Sequence, residues 1–181
     1  MTLFAPAHRP PAQYREYDPR WARVARHIME QADAGDSVVT FEHVGSTAVP
    51  GCGGKGIIDM LALYPPGQLD RATAELRRLG LRPQGDDFAH PFPPQRPMYL
   101  GSIDLDGETF IVYVHVLATD NPEVERFRVF RERLTEREDL RHAYSRVKRD
   151  IINAGITDSD RYRQAKTDVI REILGPEADL D

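Results

Sequence analysis

The sequence predicts an α+β fold, a small mixed β-sheet with helices on one face and a helical cap at the C-terminal end. Three observations lead there. Residues 56–64, GIIDMLALY, form a nearly continuous apolar run with one acid in it, which suits a central strand buried on both faces. Residues 98–105 and 108–117 read as two strands joined at Asp106-Gly107, a strong hairpin signal. Beyond Asn121-Pro122 the chain is charged and helical as far as Leu174.

The elements follow in order. Residues 1–17 hold three prolines and no period, as in a tail or an irregular strand. Asp18-Pro19 starts a helix, with an acid at the N-cap and proline at the first helical position. Trp21, Val24, Ala25, Ile28 and Met29 keep helical spacing, and Gly35 stops the run. Residues 37–44 are a strand, and the loop 45–56 that follows carries five glycines and one proline. A helix over 68–79 ends at Gly80, and the proline-rich stretch 83–97, with His90 in it, reads as a long loop. After the hairpin, Asn121-Pro122 starts a helix by the same cap logic. A break near Asn153-Ala154-Gly155 and a restart at Asp158-Ser159 give two or three C-terminal helices. The expectation is one domain over 1–181, with the sheet core in 1–120 and the C-terminal helices in 121–175.

Composition narrows the function classes. A length of 181 residues fits one domain with a real core. A net charge of −5 gives no general attraction to nucleic acid, although Lys and Arg crowd into the C-terminal third. The single cysteine, Cys52, excludes an internal disulfide and a Cys-Cys-His-His metal site. No apolar run approaches the roughly 20 residues of a membrane helix, and the N-terminal stretch lacks the apolar core of a signal peptide. The expected location is cytoplasmic, with no membrane partner. The oligomeric state is not set by the sequence.

The chemistry concentrates around the glycine loop. Gly45 and Ser46 come just after a strand, where small residues let the backbone approach a phosphate and the Ser46 and Thr47 hydroxyls add donors. It is not a Walker loop, because the positions that motif needs around Lys55 hold Val49 and Gly56. The alternative is an ordinary glycine-rich turn. Asp59 lies inside an apolar strand and needs a metal, a cation or hydrogen bonds there; the alternative is a carboxylate that only ties down the loop. His43, with His115, would form a base or a metal pair, against the commoner structural role of strand histidines. Lys55 would pair with a phosphate or with Asp59. Arg131, Lys148 and Lys166 would reach phosphates from the helical cap, or form a solvated face. Tyr144 and Tyr162 read as packing residues, and Cys52 has no committed base nearby.

A glycine-serine pair ending one strand, about a dozen residues, then an acid in the next strand is the ground plan of nucleotidyltransferases. The stretch Glu42-His43-Val44-Gly45-Ser46-Thr47-Ala48-Val49-Pro50-Gly51, followed by Lys55-Gly56-Ile57-Ile58-Asp59, resembles the hallmark of the GrpB family. Tyr17-Asp18-Pro19-Arg20-Trp21, Val114-His115-Val116, Phe130-Arg131-Glu132-Arg133-Leu134, Tyr144 with Lys148, and Tyr162 with Lys166 extend the resemblance over nearly the whole chain. It implies a nucleotidyltransferase-like fold that binds a nucleotide or another phosphate-bearing small molecule. It also implies a divalent metal, Mg or Mn, at Asp59 and His115, although Mg²⁺ prefers oxygen, so His115 would favour another ion or a different role; Asp59, His115 and, from its place beside the loop, His43 are the candidate catalytic residues. Active members of the wider fold hold two metal ions with a pair of carboxylates and a third on a neighbouring strand. Here Ile57 and Leu61 flank Asp59, and His115 stands where a third acid would be, so the metal site is depleted. The runner-up is a binding module without catalysis. A third reading is an unrelated small-molecule enzyme using His43 and His115 as acid and base.

Overall fold

Hydrophobic periodicity builds one sheet with a helical layer on each side. The computed structural model describes residues 2–8, 13–32, 37–84, 92–156 and 159–175. Gly35, His90 and Asp158, read above as helix stop, loop residue and helix restart, lie outside the described residues. The elements are α1 (Arg20–Ala32), β1 (Thr40–Val44), β2 (Ile58–Tyr64), α2 (Leu69–Arg78), β3 (Arg82–Pro83), β4 (Met98–Leu105), β5 (Glu108–Ala118), α3 (Pro122–Glu136), α4 (Glu138–Asn153), α5 (Ser159–Ala165) and α6 (Thr167–Leu174).

Local chemistry sets the boundaries. The Asp18 carboxylate accepts the Arg20 N–H at 2.9 Å and so caps α1. The Asn121 side chain accepts the Glu123 N–H at 2.9 Å, with Pro122 in the first turn of α3. Asp106 and Gly107 both take positive φ, 53° and 78°, as a two-residue hairpin of the primed type requires. Strand β3 falls at the start of what reads as a loop, pairing Arg82 and Pro83 with Leu100 and Tyr99. Among the described residues the helical tail is four helices rather than two or three. Arg137, extended at φ −106° and ψ 98°, separates α3 from α4 without glycine or proline.

The strand order is β1-β2-β5-β4-β3, with β2 and β5 parallel and the other pairs antiparallel. Alternation along the strands divides the sheet into two faces. Ile58, Met60 and Ala62 of β2, with Val112, Val114 and Val116 of β5, pack against Trp21, Val24 and Ile28 of α1 and Ala72 and Leu76 of α2. Leu61, Leu63, Val44 and Leu117 face the other way, against Val124 and Phe127 of α3. The cap helices close over the glycine loop, where Val49 and Cys52 join Phe130, Leu134, Leu140, Tyr144, Val169 and Ile173 in a second core. The N-terminal segment is tied down by backbone pairing, with Leu3 and Phe4 donating to the Leu79 carbonyl. Ala5 bridges Ser102, and Arg15 bridges Gly54 of the loop.

Candidate functional site

The site begins where β1 ends. Gly45 takes φ +69°, and a Cβ there would stand 2.7 Å from Asp59 Oδ2, so glycine serves both the turn and the close approach of the carboxylate. Ser46–Ala48 form a single 3-10 turn. The loop is then gripped from two sides. The Lys148 ammonium donates to the Gly53 carbonyl from α4, and Tyr14 packs on Gly53 from the N-terminal segment. Lys148 Nζ also lies 3.6 Å from Cys52 Sγ and 4.1 Å from the Tyr144 ring centre.

Period-two alternation in β2 sends Asp59 to the cap face, beside Tyr113 of β5. Lys166, Lys148 and Lys55 all act on its charge. Burial pushes the carboxyl up to about 6, and the three ammonium groups pull against that rise. Burial also pushes Lys148 and Lys166 down to about 8. Two of the lysines share an aromatic partner: Lys55 Nζ is 3.7 Å and Lys166 Nζ 4.7 Å from the Tyr162 ring centre, both within cation–π range. Burial raises the Tyr162 and Tyr144 phenols, so both stay neutral and act as π faces.

A cavity of about 310 Å³ opens beside this cluster. Gly45, Ser46, Asp59 and His115 line it from the sheet, with Tyr144 and Lys166 from the cap. Phe127 and Phe130 of α3 and Ile170 and Leu174 of α6 complete an apolar wall, and Glu123 and Arg126 stand on its α3 side. His115 pairs with Leu61 across the strands, so it shares Asp59's face two residues further along. Its ring lies 4.9 Å from that of Phe127 and 6.0 Å from that of Phe92. Burial, with Arg96 nearby, pushes it down to about 4, so it is neutral at physiological pH.

The structure therefore brings Gly45, Ser46, Asp59, His115 and Lys166 to one cavity; Lys148 is buried on the Gly53 carbonyl and Lys55 lines a different cavity with Arg15 and Gly56, so both act on Asp59 without lining this one. His43, Thr47 and Arg131 do not line this cavity. His43 pairs with Met60, so its side chain turns to the α1 face and does not line the cavity with Asp59 and His115. Its Nε2 lies 3.1 Å from the Thr47 hydroxyl, which turns Thr47 inward, away from the cavity. Burial, then Arg131, holds His43 down at about 4. Arg131 does not reach toward a phosphate: it donates to the His43 carbonyl at 2.7 Å and, with the Arg128–Glu42 ion pair, fastens α3 to β1. The donor set does not fit a resident divalent cation. Asp59 stands among ammonium groups, His115 among aromatic rings, and no group of three His, Cys, Asp or Glu suited to a metal occurs among the described residues.

The motifs around this geometry match one family model, described as GrpB protein, over residues 11–175. The chain belongs to the GrpB family. A UPF0157 protein of Pseudomonas aeruginosa is 32% identical over 165 residues, covering 87% of this chain but 64% of that protein. A UPF0157 protein of Halalkalibacterium halodurans is 29% identical over 165 residues, 88% of this chain and 78% of that protein. The crystal structure of the conserved protein GrpB from Enterococcus faecalis covers 90% of this chain and 97% of its own at a TM-score of 0.67 and 24% identity, a shared GrpB fold. Among the described residues no helix is long and apolar enough to cross a membrane.

The cavity wall was the part of this GrpB site that sequence reading missed. Tyr144 and Tyr162 read as packing residues and both are buried, Tyr144 in the cap core, but both also lie under lysines. The signal was present in Tyr144 with Lys148 and in Tyr162 with Lys166, aromatic–lysine pairs at helical i,i+4 spacing. Phe127 and Phe130 on α3, and Ile170 and Leu174 on α6, are one turn apart and carry no signal that separates a cavity wall from a core.

Proposed function

We propose that the cavity binds the phosphate of a nucleotide or another phosphate-bearing small molecule, in a nucleotidyltransferase-like protein with a depleted metal site. The observation that carries this reading is the convergence of Lys55, Lys148 and Lys166 on one carboxylate behind a glycine turn. Burial lowers Lys148 and Lys166 to about 8, and an anion entering beside them would favour their charged forms. Ser46 offers a hydroxyl on the cavity wall. The lysines supply the neutralisation that divalent ions provide elsewhere, so the binding step needs no resident metal. The buried, unpaired thiol of Cys52 suits a reducing cytoplasm, where we place the protein.

A second reading makes Asp59 a proton acceptor in a transfer reaction. A carboxyl raised to about 6 is still mostly ionised at neutral pH and is a stronger base than an ordinary aspartate. One experiment tests binding and separates the two readings. Thermal shift with AMP and pyrophosphate at low salt is compared across wild type, Lys166→Met and Asp59→Asn. Lys166→Met should weaken binding about 10–100-fold, the usual scale for a charged hydrogen bond, and added salt should weaken wild type. Asp59→Asn removes a negative charge from an anion site and should strengthen binding. If it also abolishes a turnover seen in wild type, Asp59 is a base. Anion binding that ignores both substitutions and salt would place the ligand elsewhere.

A further inference from the structure

The glycine loop is held from behind as well as facing the cavity. Lys148 and Arg149 follow one another on α4 and reach the loop by different routes. Lys148 is 2% exposed and donates to the Gly53 carbonyl. Its ammonium also lies 3.6 Å from Cys52 Sγ and 4.1 Å from the ring centre of Tyr144, a residue of the cavity wall. Arg149 instead holds the N-terminal segment, 4.7 Å from the Tyr14 ring centre and 2.6 Å from the Glu16 carboxylate. That segment pairs with the loop in both directions. The Arg15 N–H donates to the Gly54 carbonyl at 2.7 Å, and the Gly54 N–H donates to the Arg15 carbonyl at 2.9 Å. Gly53 and Gly54 are thus held between α4 and the N-terminal segment.

Gly54 is where this grip meets the cavity. Its φ lies outside the left-handed region, so the backbone does not demand glycine there. Its neighbours do. A Cβ on Gly54 would stand 3.0 Å from Lys148 Nζ and 3.2 Å from Ser46 Oγ. The buried ammonium and the cavity-lining hydroxyl therefore pack against the same bare Cα. A buried cation is costly unless it is hydrogen-bonded. The groups that satisfy Lys148 are Gly53 and Cys52 of the loop and Tyr144 of the cavity wall, and Lys148 itself does not line the cavity.

We propose that Lys148 is a positioning residue of the anion site: from behind Gly53 and Gly54 it sets the place of the Ser46 hydroxyl that contacts the phosphate. This rests on the anion-site reading and adds to it a residue that acts through the loop rather than on the ligand.

The test is calorimetric titration of the full chain with AMP at pH 7 and low salt. The proteins are wild type, Ser46→Ala, Lys148→Met, Gly54→Ala, Lys166→Met, and the two double variants that add Ser46→Ala to Lys148→Met or to Gly54→Ala. Gly54→Ala is the sharper probe, because it changes no charge and forces the ammonium and the hydroxyl apart by a few tenths of an ångström. Lys148→Met and Gly54→Ala should each weaken AMP binding about tenfold while Ser46 is present, the scale of one hydrogen bond. Once residue 46 is alanine, each should cost less than about twofold, because residues that act as one unit are not additive. The same loss with and without Ser46 would make Lys148 a direct electrostatic contact and overturn the positioning role. Lower stability with unchanged AMP affinity would reduce Lys148 to a structural residue and overturn it as well. In either case a loss of binding in Lys166→Met leaves the anion site standing. Absence of AMP binding by wild type would overturn both. Gly54→Ala decides the matter even if Lys148→Met fails to fold.

Discussion

Asp59 carries opposing forces. Burial disfavours its charge, and Lys166, Lys148 and Lys55 favour it. Burial prevails, because the folded pKa of about 6 is above the ordinary 3.8. The fold therefore binds the Asp59 proton more tightly than the unfolded chain does. The associated stability is present below the unfolded value and is lost as pH rises through about 6. Asparagine has no charge to bury. Asp59→Asn should gain stability relative to wild type as pH rises from 4 to 7, measured by urea unfolding midpoints at each pH. A difference between the two proteins that does not change with pH would show that the carboxylate is not held in the way described.

The elements differ in how plainly the sequence announced them. The Asp106-Gly107 hairpin and the caps at Asp18 and Asn121 were legible because each rests on the conformational preference of one or two residues. The break between α3 and α4 was not, since Arg137 adopts an extended conformation without glycine or proline to mark it. His43 was misplaced for a different reason. Alternation puts it opposite Val44, but which face receives the ligand depends on pairing with Met60, a contact between strands. Arg131 was assigned a ligand role on charge alone, whereas its geometry joins α3 to the end of β1. Arg131→Met should then lower stability by about 1.5–3 kcal/mol, the scale of a hydrogen bond involving a charged group. Chemical denaturation would measure this loss, and the affinity for phosphate should fall less than in Lys166→Met. A large loss of affinity with unchanged stability would return Arg131 to the ligand site.

At the scale of the molecule, a net charge of −5 gives no hint of the three lysines that act on Asp59. The sequence placed Gly45, Ser46 and Asp59 near one another. Sequence spacing alone could not gather lysines from the loop, α4 and the start of α6, because that depends on how the cap closes. The two histidines add a further property of the whole fold. Burial holds His43 and His115 at about 4, below their ordinary 6.5, on opposite faces of one sheet. A depressed histidine contributes stability that is present above 6.5 and is lost as pH falls through about 4. Asp59 has the opposite sign over part of this range, so the two histidines should dominate. The thermal midpoint of wild type should drop between pH 6.5 and 4, and His115→Phe, which keeps a ring between Phe92 and Phe127, should reduce that drop. A midpoint that holds steady across the range would contradict it. The central claim, a lysine-built phosphate site, is tested most directly by titrating AMP and adenosine into the full chain at pH 7 and again at pH 9.5. With Lys148 and Lys166 near 8, the site is charged at the first pH and largely neutral at the second. The predicted result is that AMP binds far more tightly than adenosine at pH 7 and loses most of that advantage at pH 9.5. Equal affinity for the two at pH 7 would contradict it.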